Sequence, residues 1–269
     1  MVVAPLPPTC LSGRGTLAVT GPDAVNLLQG LVTANVASLS EGDVTHAALL
    51  TPQGKVLSAF FAWRTADGVL LDAAPGDAAA LAKRLALYKL RAAVEIADVS
   101  AELSAWVGED GPEDSPGGAR PDPRLPALGA RWLAAPGAGD ASAYEARRIA
   151  LGVPEFGADF GPSEVFPMDV NLDALGAVDY KKGCFVGQEV ASRMYRKGQV
   201  RKRSWIARAE AALTVGAAIT ARDAGLGTVT SASGARGLAL VRVDRVEAAT
   251  EAPVADGVPL TLAPPDYLA

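Results

Sequence analysis

Lys182-Gly183-Cys184-Phe185-Val186-Gly187-Gln188-Glu189 is the stretch on which the reading of this chain turns. Cys184 follows a glycine and two lysines, Lys181 and Lys182. Neighbouring ammonium groups favour a thiolate over a thiol. Gly183 allows close backbone approach or an unusual φ. From Gly187 the residues Gln188 to Met194 suit a helix. Such a helix would aim its first N–H groups toward the loop of Cys184, an arrangement that favours a thiolate or an anion. Cations follow closely at Arg193, Arg196, Lys197, Arg201, Lys202 and Arg203. Two plainer readings stand beside this one. An isolated cysteine is more often a small packed hydrophobe, and a basic run is more often a solvated face.

Working outward, the N-terminal side alternates strand and helix patterns. Gly15–Thr20, Thr45–Leu50, Val56–Arg64, Val69–Ala73, Arg91–Asp98 and Ala130–Ala134 read as strands. Thr51-Pro52-Gln53-Gly54-Lys55 reads as the turn of a hairpin, with Gly54 supplying a positive φ. Ala24–Leu31 reads as a helix opened by Gly21-Pro22-Asp23, and Asp77–Leu87 as an Ala/Leu helix. Ser142–Leu151 reads as a third, with Ser142 and Glu145 at capping-box spacing and Gly152 at its end. Gly108–Arg124 is rich in Gly, Pro and acidic residues and reads as a surface loop. After Arg203 short alternating runs at Ser204–Ala209, Ala218–Ala221, Gly227–Ser231, Leu238–Val243 and Val258–Leu262 suggest a small all-β unit. The expected division is an α+β region over 1–200 and a β-barrel over 201–269.

Composition narrows the function classes. Hydrophobic residues make up 49% and charged residues 20% of 269, enough apolar content for one large or two smaller cores. The formal charge is −5, so a nucleic-acid-binding protein is not expected. Cys10 and Cys184 are the two cysteines, which excludes a disulfide framework. His46 is the single histidine, which excludes a His-rich metal site, and it reads as structural rather than catalytic. Met1 to Pro8 has no basic n-region and no long apolar run, and no segment is apolar enough to span a bilayer. The expectation is a cytosolic protein, monomeric, with no membrane contact.

The stretch 182–189 matches the Lys-Gly-Cys-aromatic-x-Gly-Gln-Glu signature of YgfZ-like proteins. Further segments agree in order: Gly21-Pro22-Asp23-Ala24 before Leu27-Leu28-Gln29-Gly30, Leu50-Thr51-Pro52-Gln53-Gly54-Lys55, Asp122-Pro123-Arg124 before Leu128-Gly129-Ala130-Arg131, and Phe166-Pro167-Met168-Asp169-Val170-Asn171-Leu172-Asp173. The chain therefore resembles this family, itself related to the glycine-cleavage T-protein, over most of its length up to about Arg203. The resemblance implies an α+β fold, a T-protein-like ring of α+β subdomains with a small C-terminal β-barrel. It implies tetrahydrofolate or a derivative as ligand, and iron–sulfur assembly or client proteins as partners, among them a radical enzyme that modifies tRNA. It places the family's functional cysteine at Cys184 and its signature lysine at Lys182.

The resemblance also suggests a ligand set. Asp169, Asn171 and Asp173 could meet a pterin's hydrogen-bonding edge, or simply cap their own loop. Lys182 joins them, Arg193 could grip a carboxylate, and Tyr195 could stack on a pterin or pack on the barrel. Lys55, at the hairpin tip, could attract a glutamate tail or stay solvated. Two departures from the T-protein pattern count against aminomethyl transfer. Ala79, near Asp77, stands where a catalytic Asp is expected, and Ala150 stands in Arg148-Ile149-Ala150-Leu151-Gly152 where a pterin-gripping Glu is expected. Three readings stay open: a folate-binding accessory factor for iron–sulfur proteins with Cys184 as its key thiol, a folate-dependent one-carbon transferase, and a non-catalytic interaction module.

Overall fold

A computed structural model describes residues 5–112, 115, 117–198, 200–222 and 224–269. The chain begins with β1 (Thr9–Cys10), β2 (Gly15–Thr20), α1 (Ala24–Leu31), β3 (Val44–Leu50), β4 (Val56–Thr65), β5 (Gly68–Ala73), α2 (Ala78–Lys89) and β6 (Glu95–Asp98). Strands β2 to β6 form an antiparallel sheet in the order β3-β4-β5-β2-β6. Leu17 lies opposite Leu71 and Val19 opposite Val69, so period-2 apolar residues share one face. That face packs with Leu28 of α1 and Leu81 and Leu85 of α2.

The other face explains why β4 is apolar without alternation. Phe60 and Ala62 belong to the core under α1 and α2, whereas Phe61 and Trp63 face a second sheet. That sheet contains β7 (Ser104–Gly108), β8 (Arg120–Pro121) and β9 (Ala130–Ala134), in the order β1-β7-β9-β8. A strand buried on both sides reads as a continuous hydrophobic run. Next come α3 (Ser142–Ala150), an irregular stretch, and α4 (Gln188–Lys197).

The remaining strands are β10 (Lys202–Ala209), β11 (Ala218–Ala221), β12 (Ala224–Ser233), β13 (Arg236–Arg242), β14 (Val254–Ala255) and β15 (Val258–Ala263), with α5 (Val243–Ala248) between β13 and β14. They close into a barrel in the order β10-β13-β12-β11-β14-β15. Ala207, Ile219, Leu226, Val229, Ala239 and Val241 fill it. Closure removes the sheet edges that an open sheet of this size would expose. Ile149 of α3 packs with Ile206 and Leu238 of the barrel.

The structure revises several sequence expectations. Val243, read as the end of a strand, starts α5. The sixth strand starts at Glu95, not Arg91. Helix α3 has Ala141 at its N-cap with no side-chain cap, and Glu145 pairs with Arg148 rather than reaching back. The segment Gly108–Arg124, read as a surface loop, ends in the interior: Asp122 is 2% and Arg124 5% exposed. Residues 113, 114 and 116 of that segment lie outside the described residues.

Candidate functional site

Asp179 opens the signature loop. Its Oδ1 accepts from the backbone N–H groups of Lys181 at 2.7 Å and Lys182 at 3.1 Å. The Lys182 side chain turns inward, 7% exposed, and donates to the carbonyls of Val32 at 2.7 Å and Ala34 at 2.6 Å. Its Nζ lies 5.6 Å from the ring centroid of Phe185, itself buried among Leu50, Val56 and Val178. Burial pushes the ammonium down to about 8, against the pull of Asp179. A neutral amine still has N–H donors for both carbonyls, so the anchor survives deprotonation.

The far side of the loop is held by Gly187. Its φ is +77°, and a Cβ there would lie 2.4 Å from the Thr51 carbonyl oxygen. The turn 51–55 therefore sits directly on the start of α4, and Gly54 approaches Val190 of that helix. Two segments singled out separately in the sequence thus form one structural unit. Gly183 does not have the conformational role expected of it: nothing lies within 4 Å of where its Cβ would be, and its φ is not left-handed. Cys184 sits at the crest between these anchors, free and exposed.

The other sequence-selected residues do not gather around a ligand. Asp169 is buried and its Oδ2 accepts from the Phe166 N–H at 2.9 Å, capping the short turn Pro167–Val170. Burial raises its pKa, against that hydrogen bond and the charges of Lys202, Arg203 and Lys55. Asn171, fully buried with φ +60°, donates to the Ser204 carbonyl at 2.7 Å and to the Tyr267 hydroxyl at 3.0 Å. Asp173 receives a fork from Arg203, at 2.6 and 3.0 Å. Asn171 and Asp173 tie the irregular stretch to the barrel, whereas Asp169 caps its own turn. Arg193 is exposed, and Tyr195, 50% exposed, stacks on Tyr180 with centroids 4.0 Å apart. Lys55 is half-buried at the turn.

Asp173, Lys182 and the amide N–H groups of Asn171 already have internal partners and do not fit as direct ligands of a folate, whereas the buried Asn171 Oδ1 has no partner and Arg193 is exposed. Asp173→Ala is expected to cost about 1–3 kcal/mol of stability, the range for a partly buried charged hydrogen-bonded pair. It is expected to leave a calorimetric tetrahydrofolate titration where the wild type's lies. A changed Kd at an unchanged melting temperature would return Asp173 to a ligand role.

A second cluster escaped the sequence reading. Arg14 donates to Asp72 Oδ1 at 2.5 Å and to Glu155 at 2.5 Å. Arg131 donates to the other oxygen of Asp72 at 2.9 Å. Arg124 engages Asp122 through two nitrogens and Glu155 at 2.6 Å. The Tyr144 hydroxyl accepts from Arg124 at 2.6 Å and Arg131 at 3.0 Å. The Arg131 guanidinium carbon stands 3.9 Å from the Phe61 ring centroid, with Arg124 at 4.8 Å. Burial alone would raise Glu155, but Arg124, Arg14 and Arg131 outweigh it and hold the carboxyl well below its usual range. Three guanidinium groups thus face three carboxylates in the interior, joining the turn before β2 to β5, β9 and α3. A cleft of about 170 Å³ touches this cluster at Arg14, Tyr144 and Glu155, below the roughly 300–1,000 Å³ of ordinary small-molecule pockets. Asp72 in an otherwise apolar strand, and Arg131 inside Ala130–Ala134, were the available signals.

The barrel residues 201–269 match the family model described as the CAF17 C-terminal beta-barrel domain. The chain is 34% identical to the mitochondrial iron–sulfur cluster assembly factor IBA57 homologue of Mycosarcoma maydis, over 71% of this chain and 54% of that protein. It is 31% identical to the Neurospora crassa homologue, over 72% and 52%. It is 29% identical to human IBA57, over 94% and 82%. The chain thus spans about half the length of the fungal relatives it matches. The crystal structure of the glycine cleavage system aminomethyltransferase T from Bartonella henselae shares the fold, with a TM-score of 0.80 and 18% identity over 98% of this chain and 86% of that one. The α+β fold with a closed barrel, expected from the sequence, is therefore the fold observed.

The expectation of a cytosolic protein is overturned by these relatives, which are named as mitochondrial proteins. The absence of a leader pattern in Met1 to Pro8 describes those residues and carries no information about compartment. Among the described residues no helix is long and apolar enough to cross a membrane. The chain thus carries a CAF17/IBA57-type C-terminal barrel on a T-protein-like fold, and its relatives are iron–sulfur cluster assembly factors related to the YgfZ-like proteins it resembles in sequence.

Proposed function

We propose that this chain is an accessory factor of iron–sulfur cluster assembly and that Cys184 is its working thiol. The observation that supports this most is the exposed Cys184 on a loop anchored from both sides, in a chain whose relatives are named cluster assembly factors. Holding the backbone while leaving the sulfur free is what a ligand or exchange group requires. The other cysteine, Cys10, is 1% exposed and cannot take this part.

One thiolate does not hold a cluster, since such clusters are bound by about four. Among the described residues no group of three or more His, Cys, Asp or Glu is placed to bind a metal. A cluster at Cys184 is therefore shared with thiolates of another molecule, which makes the protein a participant in transfer rather than a store. Tetrahydrofolate enters this reading through the fold alone. Aminomethyl transfer gains no support: Ala79 and Ala150 carry no carboxylate, and Asp77 accepts the Ser58 hydroxyl.

The test is anaerobic reconstitution with ferrous iron, sulfide and glutathione, the last supplying the remaining thiolates. Visible absorption and circular dichroism of a protein-bound cluster are expected with wild type and lost with Cys184→Ala. Equal spectra from the two proteins would remove Cys184 as a ligand.

A further inference from the structure

The loop of Cys184 leads into a stretch of the chain rich in exposed cations. The chain carries a formal charge of −5, yet Lys181, Arg193, Arg196, Lys197, Arg201 and Lys202 are all exposed on the signature loop, on α4 and at the start of β10. Other basic residues of the chain engage carboxylates, as Arg14, Arg124, Arg131, Arg148 and Arg203 do. No such pair engages any of these six among the described residues. The carboxylates of the same segment offer little neutralisation. Asp179 accepts from the backbone of Lys181 and Lys182, and Asp173 is forked by Arg203. Glu189 lies in the first turn of α4, whereas Arg196 and Lys197 lie in its last.

The face also has an apolar element. Tyr195, half exposed, stacks on Tyr180 and presents its outer ring surface between Arg193 and Arg196 in sequence. The opposite side of α4, through Ala191 and Ser192, is buried, and Val190 meets Gly54. Three of the cations, Arg193, Arg196 and Lys197, are therefore carried by a helix fixed to the body of the protein, and that part of the pattern is preorganised. Isolated surface charges contribute little, but a one-signed cluster steers a partner of opposite sign and sets the register of docking.

From this we infer that the exposed face of α4, continued by Lys181 and the start of β10, is a docking surface for an acidic face of a partner protein, which it places against Cys184. The inference rests on Cys184 being the working thiol. A protein rather than a nucleic acid is the occupant, because the negative charge of the whole chain opposes a long polyanion and acts less on a compact acidic patch.

The test uses a twelve-residue Glu-rich peptide with one cysteine activated as a thiopyridyl disulfide, and a control peptide with Gln for each Glu. The Cys184 thiolate attacks the peptide sulfur, a protein–peptide disulfide forms, and thiopyridone leaves with the other electron pair. Release of thiopyridone gives the rate. Wild type is expected to react with the acidic peptide at least about tenfold faster than with the neutral one at low salt, within the range for electrostatic steering. In 0.5 M salt the advantage is expected to vanish, since the Debye length then falls well under 10 Å. Arg196→Glu/Lys197→Glu/Arg201→Glu is expected to abolish the advantage and to leave the neutral peptide's rate unchanged. Equal rates for the two peptides on wild type would overturn the docking surface while leaving the thiol reading intact. Failure of both peptides to react with folded wild type would instead overturn the thiol reading. A single-stranded oligonucleotide that suppresses the acidic peptide's advantage at lower concentration than an unactivated acidic peptide would make nucleic acid the occupant and overturn the proposal in its stated form.

Discussion

Asp72→Ala is expected to destabilise the protein by about 3–5 kcal/mol, the range for removing one partner of a buried ion pair. Asp72 has no exposed surface and serves two guanidinium groups at once, Arg14 through Oδ1 and Arg131 through Oδ2. Without it both cations stay buried, and Glu155 and Asp122 cannot balance three arginines. The loss is a large fraction of the roughly 5–15 kcal/mol that holds an ordinary domain together. Urea denaturation followed by circular dichroism measures it. Asp72→Ala combined with Arg131→Met should recover part of the loss, since replacing a whole buried pair by apolar groups is often nearly neutral. A loss under about 1 kcal/mol for the single variant, against the 3–5 kcal/mol expected, would mean that Arg14 and Arg131 reorganise around Glu155.

The second large effect is acid lability from one residue. His46 is 5% exposed, its Nδ1 has no partner, and its ring stands 4.9 Å from Phe61. Burial, aided by the nearby Arg124 cation, pushes its pKa down to about 3 from an ordinary 6.5. The unfolded chain therefore takes up this proton as pH falls through 6.5, and the folded chain takes it up only near 3. Stability is lost across that window at roughly 1.4 kcal/mol per pH unit. Between pH 6.5 and 5, above the range in which carboxylates titrate, the expected loss is roughly 2 kcal/mol. Because His46 is the sole histidine, its imidazole resonance is unambiguous. It is expected to keep the neutral shift throughout that range, and His46→Phe is expected to flatten the stability profile there. An imidazole that titrates near 6.5 in the folded protein would refute the buried neutral assignment.

These two residues show where local sequence rules lose their hold. Asp72 stands in Val69–Ala73, where alternation puts it on the face opposite Leu71, and that face looks like solvent until a second sheet is known to cover it. Arg124 and Asp122 sit in a segment whose Gly, Pro and acidic content is that of a surface loop. They pair with each other, but Arg124 also needs Glu155 and Tyr144, 31 and 20 positions away, and composition has no access to such pairing.

For the signature loop the balance was different. Gly187 as the entry to a helix, the helix after it, and the family of the chain were all legible in a few residues, because local backbone needs and an unusual motif are properties of neighbours in sequence. The alternation after Arg203 likewise announced an all-β unit, a barrel or a sandwich, and the structure shows a closed barrel. The roles of Asn171 and Asp173 were not legible, since a polar side chain in a loop looks the same whether it awaits a ligand or already has a partner. Folding brought Ser204 and Tyr267 to Asn171 and Arg203 to Asp173, whereas Asp169 caps its own loop, one of the two readings the sequence offered. By itself the sequence determined most of the elements and the family resemblance, and it singled out Cys184 as a candidate. The tertiary structure alone decided which charged and polar groups are free to act, because that depends on what the folded chain places within hydrogen-bonding distance of each.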